Sequence, residues 1–227
     1  IRGFLRRLRM IMEGQTVQPI GHQLLQDHHD EKRRLDLEQI DKLVDNSESL
    51  LDLGCGDGLF LAHLAQRGCP RVQGIDVDEE KCVRCVERGV DVIQADLDQP
   101  MPFLTDQSFD VVNLSRTLQT VRHPTVVLEL MMRVGNRCVV TFPNFGYWRN
   151  RHMVAWYGRV PMSRNLPFSW ADTPNLHHLS LRDFEIWARE QGIHIEQRIA
   201  MDYESVNQIY WLPNLRATDA IYVFSRN

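Results

Sequence analysis

The string Leu51-Asp52-Leu53-Gly54-Cys55-Gly56-Asp57-Gly58 limits the fold of this chain more than any other. An apolar run, Ser49 to Leu53, enters three alternating glycines, and a helical pattern, Leu59 to Arg67, leaves them. Glycine is required where the backbone turns sharply and lets a ligand lie against it. A helix that starts at such a turn points unsatisfied N–H groups into the same crevice.

The surrounding chain repeats this strand–turn–helix unit. Val72 to Val77 reads as a strand, Glu79 to Arg88 as a helix closed by Gly89, and Val90 to Ala95 as a strand. Phe109 to Leu114 is a strand, Thr125 to Val134 a helix stopped by Gly135, and Arg137 to Phe142 a strand stopped by Pro143. Alternation at this pitch gives an α/β fold, a parallel sheet with helices on both faces. Ahead of it, Asp27 to Leu43 is a charge-rich helix with one apolar face. Residues 143–178 break the rhythm with prolines and with Phe145, Tyr147, Trp148, Trp156, Tyr157, Phe168 and Trp170. An insertion after a parallel strand lies at its carboxyl end, where open α/β sheets bind ligands. The helix Leu181 to Gln191, the strand Ile193 to Ala200, a loop and the strand Ala220 to Ser225 follow.

Two nucleotide classes use a glycine turn of this kind. The dinucleotide fingerprint Gly-x-Gly-x-x-Gly needs a glycine where Leu59 stands, because the third glycine comes one place early at Gly58. The turn also opens with an acid, Asp52. Carboxylates repel a pyrophosphate but attract the sulfonium and ammonium of S-adenosylmethionine. Gly74-Ile75-Asp76 closes the second strand, where a carboxylate accepts hydrogen bonds from both ribose hydroxyls. Ala95-Asp96-Leu97 closes the third, where Asp96 suits an adenine amino group. Asn113 and Leu114, ending the fourth strand, are placed to line the methionyl end. The cofactor-binding set expected is therefore Asp52, Gly54, Cys55, Gly56, Asp76, Val77, Ala95, Asp96, Leu97, Asn113 and Leu114, with S-adenosylmethionine or S-adenosylhomocysteine as cofactor.

Composition excludes several alternatives. With 227 residues and 43% apolar content the chain can build one large domain. The net charge of −4 argues against nucleic acid as partner. No apolar run is long enough to span a membrane. Five cysteines without regular spacing read as reduced thiols of a cytoplasmic protein. Cys82-x-x-Cys85 lies inside a helix with no second ligand pair, so no metal site is expected. Residues 1–26 are an extension and linker, with apolar residues at 1, 4, 5, 8, 11 and 12 between arginines. They read either as the tail of an upstream domain or docking helix, or as a loosely held surface helix. Residues 27–227 form the ligand-binding domain.

From about residue 45 onward these features resemble the class I S-adenosylmethionine-dependent methyltransferases. That resemblance implies a Rossmann-like, seven-stranded, mostly parallel sheet with an antiparallel last strand. Narrower strings look like the methionine biosynthesis protein MetW family: Leu53-Gly54-Cys55-Gly56-Asp57-Gly58, Gln94-Ala95-Asp96-Leu97-Asp98, Leu114-Ser115-Arg116-Thr117-Leu118-Gln119, Phe142-Pro143-Asn144-Phe145-Gly146-Tyr147-Trp148, and Leu166 to Asn175. The resemblance implies a role in methionine synthesis, with homoserine O-acyltransferase as partner or target of activation. The opening helix would then be the tail of such an acyltransferase fused upstream.

No motif assigns a catalyst. Tyr147, His152, Tyr157, His177 and His178 are the candidates in the aromatic insertion, but none sits in a motif that fixes a role, and packing or surface exposure accounts better for each. Besides the partner role, two readings remain: an independent small-molecule methyltransferase, and a dinucleotide-dependent oxidoreductase weakened by Leu59.

Overall fold

The computed structural model describes residues 34–163, 166–202 and 207–226. The expected features of residues 1–26, and the first part of the helix expected from Asp27, lie outside them. Seven helices occur among the described residues: α1 (Leu35–Asp41), α2 (Leu59–Arg67), α3 (Glu79–Glu87), α4 (Pro124–Val134), α5 (Trp148–Tyr157), α6 (Leu181–Glu190) and α7 (Pro213–Arg216). The strands are β1 (Leu50–Leu53), β2 (Val72–Asp76), β3 (Asp91–Gln94), β4 (Phe109–Ser115), β5 (Gly135–Pro143), β6 (His194–Asp202), β7 (Asn207–Gln208) and β8 (Asp219–Ser225).

They form one sheet in the order β3-β2-β1-β4-β5-β8-β6-β7. β1 to β5 are parallel, and β8 runs antiparallel between β5 and β6. The sheet has eight strands rather than the expected seven, because the two-residue β7 pairs with the end of β6. The segment expected as a loop after β6 therefore holds both β7 and α7. α5 is a second addition, inside the aromatic insertion.

Strand residues alternate between the faces, as the period of two requires. Leu50, Val111 and Val139 pack with Phe60, Leu61 and Leu64 of α2, Cys85 of α3, and Ile40 of α1. Leu51, Leu53, Val112 and Leu114 pack on the other face with Val127, Leu128 and Met131 of α4 and Phe184 of α6. Covered on both faces, the central strands are mostly apolar, and in β4 only Asp110, Asn113 and Ser115 interrupt Phe109, Val111, Val112 and Leu114. Local signals fix the helix ends. Asp78 caps α3 through Lys81 N–H, Pro124 opens α4, and Ser180 with Asp183 forms a capping box on α6. No helix among the described residues is long and apolar enough to cross a membrane.

At the amino-terminal ends of β1 and β4, remote from the glycine turn, Ser49 and Asp110 clamp the two strands. Asp110 Oδ2 accepts from Ser49 N–H at 2.8 Å and Ser49 Oγ at 2.6 Å. These bonds hold the Asp110 carboxyl below its usual range, the Ser49 hydroxyl contributing most. A depressed native pKa contributes stability above the unfolded value and loses it as pH falls through the native value. Ser49→Ala is therefore expected to cost about 1 kcal/mol at neutral pH and to make the chain less sensitive to acid. Urea melts at neutral pH and at about pH 3 check this: the gap between parent and variant should narrow in acid.

Candidate functional site: the crevice at the ends of β1 and β4

The chain leaves β1 on one side for β2 and β3 and returns on the other side as β4. In open α/β sheets, ligands bind in the crevice at such a switch point, beyond the carboxyl ends of the strands. Gly54, Gly56 and Gly58 cross it with left-handed φ values of 75°, 61° and 76°. They are glycines for different reasons. A Cβ on Gly54 would sit 2.5 Å from Thr117 Oγ1, and one on Gly58 would sit 2.8 Å from Cys85 Sγ. Those two let the protein close on itself. A Cβ on Gly56 would meet nothing within 4 Å, so this is where the turn presents bare backbone to open space.

Asp76 at the end of β2 ties the turn down. Its buried carboxylate accepts from Gly56 N–H at 2.8 Å and Asp78 N–H at 3.0 Å. A carboxylate has about four acceptor positions, so two remain for a vicinal diol. Asp52 and Asn113, paired across β1 and β4, are both buried, and Asn113 Nδ2 donates to Asp52 Oδ1 at 2.7 Å. That bond turns Asn113 Oδ1 away, a buried acceptor with no hydrogen-bond partner. An acceptor left this way beside a carboxylate suits a cationic donor such as an ammonium group. Ala95 N–H donates to Asp76 O at 3.0 Å, which brings Ala95-Asp96 alongside. Asp96 is exposed, with Oδ1 accepting from Asp98 N–H at 3.0 Å. Val77 lies exposed next to Asp76, and Leu97 packs partly buried against the core.

One expectation is corrected. Leu114 is fully buried on the sheet face opposite Asn113, since adjacent strand residues cannot both line one crevice. The Cys55 side chain turns beneath the loop, 3.9 Å from Cys85 Sγ. Burial, and then the Asp52 carboxylate, push its thiol well above the ordinary range. Four N–H groups of the turn are engaged within the protein: Gly54 and Cys55 donate to Ile75 O, Gly58 to Cys55 O, and Gly56 to Asp76. A pyrophosphate needs just those donors, so the turn suits it poorly.

Beyond β4 lie groups that the local pattern did not single out. Ser115 Oγ donates to the buried Asp36 of α1 at 2.6 Å and lies 3.1 Å from Thr141 Oγ1. Arg116 holds a left-handed φ of 52° and pairs with buried Asp219. Burial pushes the Asp219 carboxyl up, and the Arg116 guanidinium opposes this without reversing it. A polar continuation, Ser-Arg-Thr, directly after the apolar β4 was the available signal.

The candidate catalytic groups fall into separate places. His152 stacks with Trp156 and meets Tyr157 edge-on, with ring centroids 5.3 and 5.6 Å apart, on the exposed side of α5. Tyr147 precedes that helix. His178 stacks on Phe145 at 4.6 Å, and loss of water there, with His177 adding, lowers its pKa. His177 Nε2 lies 3.3 Å from Arg122 O.

Residues 34–224 match the family "Methionine biosynthesis protein MetW". The bifunctional methionine biosynthesis protein MetXA/MetW of Rhodopirellula baltica is 33% identical over 85% of this chain, which spans only 33% of that relative's length. The ubiquinone biosynthesis O-methyltransferase of Pseudomonas entomophila is 28% identical over 74% of this chain and 73% of its own. The crystal structure of an S-adenosylmethionine-dependent methyltransferase from Mesorhizobium loti shares the fold. Its TM-score is 0.64 at 17% identity, over 85% of this chain and 98% of that one.

Proposed function

The chain belongs to the methionine biosynthesis protein MetW family, and from that premise we propose that it binds S-adenosylmethionine or S-adenosylhomocysteine and acts as partner and activator of a homoserine O-acyltransferase. The observation that carries the cofactor reading is the open face of Gly56 beside a buried carboxylate with unused acceptor positions. Asp76 would receive the ribose hydroxyls, Asp96 the adenine amino group, and Asp52 with Asn113 Oδ1 the ammonium. Gly54, Cys55 and Gly56 would supply the backbone floor, with Val77, Ala95 and Leu97 around the base. When bound, S-adenosylmethionine supplies a methyl group on a cationic sulfur. Occupancy of the crevice would report the level of an end product of the pathway. The reduced cysteines fit a cytoplasmic setting.

Two observations support the partner. The Rhodopirellula baltica relative joins a MetW part to a MetXA part in one bifunctional chain. In this chain, hydrogen bonds tie α5 and the loop before it to the core, yet the helix leaves its aromatics outside. Buried Asn144 donates to Ala217 O at 2.7 Å and accepts from Gly146 N–H at 2.9 Å, and buried Asn150 donates to Asn144 O at 3.3 Å. Trp148 and Trp156 are nevertheless 47% and 78% exposed. Tryptophan is among the side chains that most often anchor protein interfaces.

The test mixes the purified chain with the acyltransferase and follows acyl transfer to homoserine, with and without the sulfur nucleoside. The parent should co-elute with the enzyme and raise its rate. Trp148→Ala with Trp156→Ala should weaken association by about 2 kcal/mol or more. If the parent neither co-elutes nor changes the rate, the partner role is wrong. The ubiquinone-pathway relative favours a second reading, an independent methyltransferase acting on a small substrate under the 143–178 insertion.

A further inference from the structure

On the side of the sheet that carries α6, a cleft of about 680 Å³ runs between α5, α6 and α7. Arg151, Arg182, Arg189 and Arg198 line it, with Glu185 as the one carboxylate. In a chain of net charge −4 this is a local reversal of sign. The single acid is already engaged: Glu185 Oε1 accepts from Arg198 Nη1 at 2.8 Å and Tyr222 Oη at 2.9 Å. The guanidinium groups of Arg182 and Arg189 make no hydrogen bond or ion pair with another described residue. Arg151 spends only its Nε, on Gly146 O.

The arrangement follows from the register of α6. Leu181, Phe184 and Ala188 are its buried face, so Arg182, Ile186 and Arg189 fall on the outer one at spacings of four and three. Arg182 and Arg189 are seven residues apart along the helix, roughly 10 Å. A single small anion cannot satisfy both, whereas a chain carrying successive acids can. Apolar surface lies between the charges, from Ile186 and from Leu212, Pro213 and Leu215 at α7. Tyr210 and Trp211, 79% and 68% exposed, directly precede Leu212 of the cleft wall in the chain.

We propose that this cleft is the docking groove for an acidic segment of the acyltransferase, one in which carboxylates alternate with apolar side chains. The inference rests on the partner role proposed above and names the chemistry that would recognise it. Arg182 and Arg189 pair with the acids, and the Ile186–Leu215 floor takes the apolar side chains between them. The aromatic surface anchors the complex, and the arginines set its register and its sensitivity to salt.

The experiment measures association of the purified chain with the acyltransferase by calorimetry across a salt series. It compares the parent with Arg182→Glu/Arg189→Glu and with Lys42→Glu/Arg84→Glu, an equal change of charge elsewhere on the surface. Thermal melts verify that each variant folds, and Arg182→Gln/Arg189→Gln serves as a milder pair. The groove double reversal should bind about tenfold more weakly or worse and lose most of the salt dependence. The neutral pair should fall between, and the control should match the parent. If the parent binds and the groove variants bind equally well, the groove assignment is wrong while the partner role stands. If the parent itself does not bind, the partner role falls and takes the groove with it.

Discussion

Gly56→Val is expected to abolish binding of S-adenosylmethionine while leaving a folded protein. The branched side chain would project into the open space that the turn presents, where no protein atom lies within 4 Å to receive it. The bound nucleoside would lose that volume entirely. The native φ of 61° adds strain of about 1–2 kcal/mol for any non-glycine residue. That is affordable for a domain whose core lies on both faces of the sheet, so helical circular dichroism should persist. Gly54→Val is the informative contrast. Its Cβ would run into Thr117 at 2.5 Å, so this variant should lose stability as well as binding. Calorimetric titration with the nucleoside, paired with thermal melts, separates the two. Retained affinity in Gly56→Val would mean that the turn does not face the ligand.

Asp76→Ala should weaken binding by about 2–4 kcal/mol, roughly thirty- to a thousand-fold, through loss of two charge-assisted hydrogen bonds to ribose. The sequence alone suggests that a strand-end acid can be removed without consequence for folding. The structure adds a second cost, because the same carboxylate accepts from Gly56 and Asp78 N–H. Leaving those donors unsatisfied should lower stability by about 1–3 kcal/mol. Asp76→Asn retains one acceptor oxygen and should therefore keep more of the stability than of the affinity. An alanine variant that binds as tightly as the parent would remove the ribose from this position.

The layered fold and the strand-end positions of the candidate residues were legible because their signals are local. Alternating apolar runs and glycine stops gave β1 to β5 and α2 to α4 to within a few residues. The acids at the ends of β1 and β2 follow from strand position alone. α5 escaped because it has no apolar stripe: its one buried residue is Asn150, while Trp156 and Tyr157 face solvent. β7 escaped because two residues at a sheet edge carry no period. Leu114, expected beside Asn113, lies on the opposite face of the sheet because side chains alternate along a strand. The contacts of Arg116 with Asp219 and of Ser115 with Asp36 join distant parts of the chain, and no local pattern announces them.

The central claim is that the β1–β4 crevice is built for a sulfur nucleoside. The measurement that meets it most directly is calorimetric titration of the purified chain with S-adenosylmethionine, S-adenosylhomocysteine and NAD in parallel. The account predicts saturable heat with one or both sulfur nucleosides at micromolar affinity, about −8 kcal/mol, and none with NAD. Heat with NAD and none with either sulfur nucleoside would contradict it.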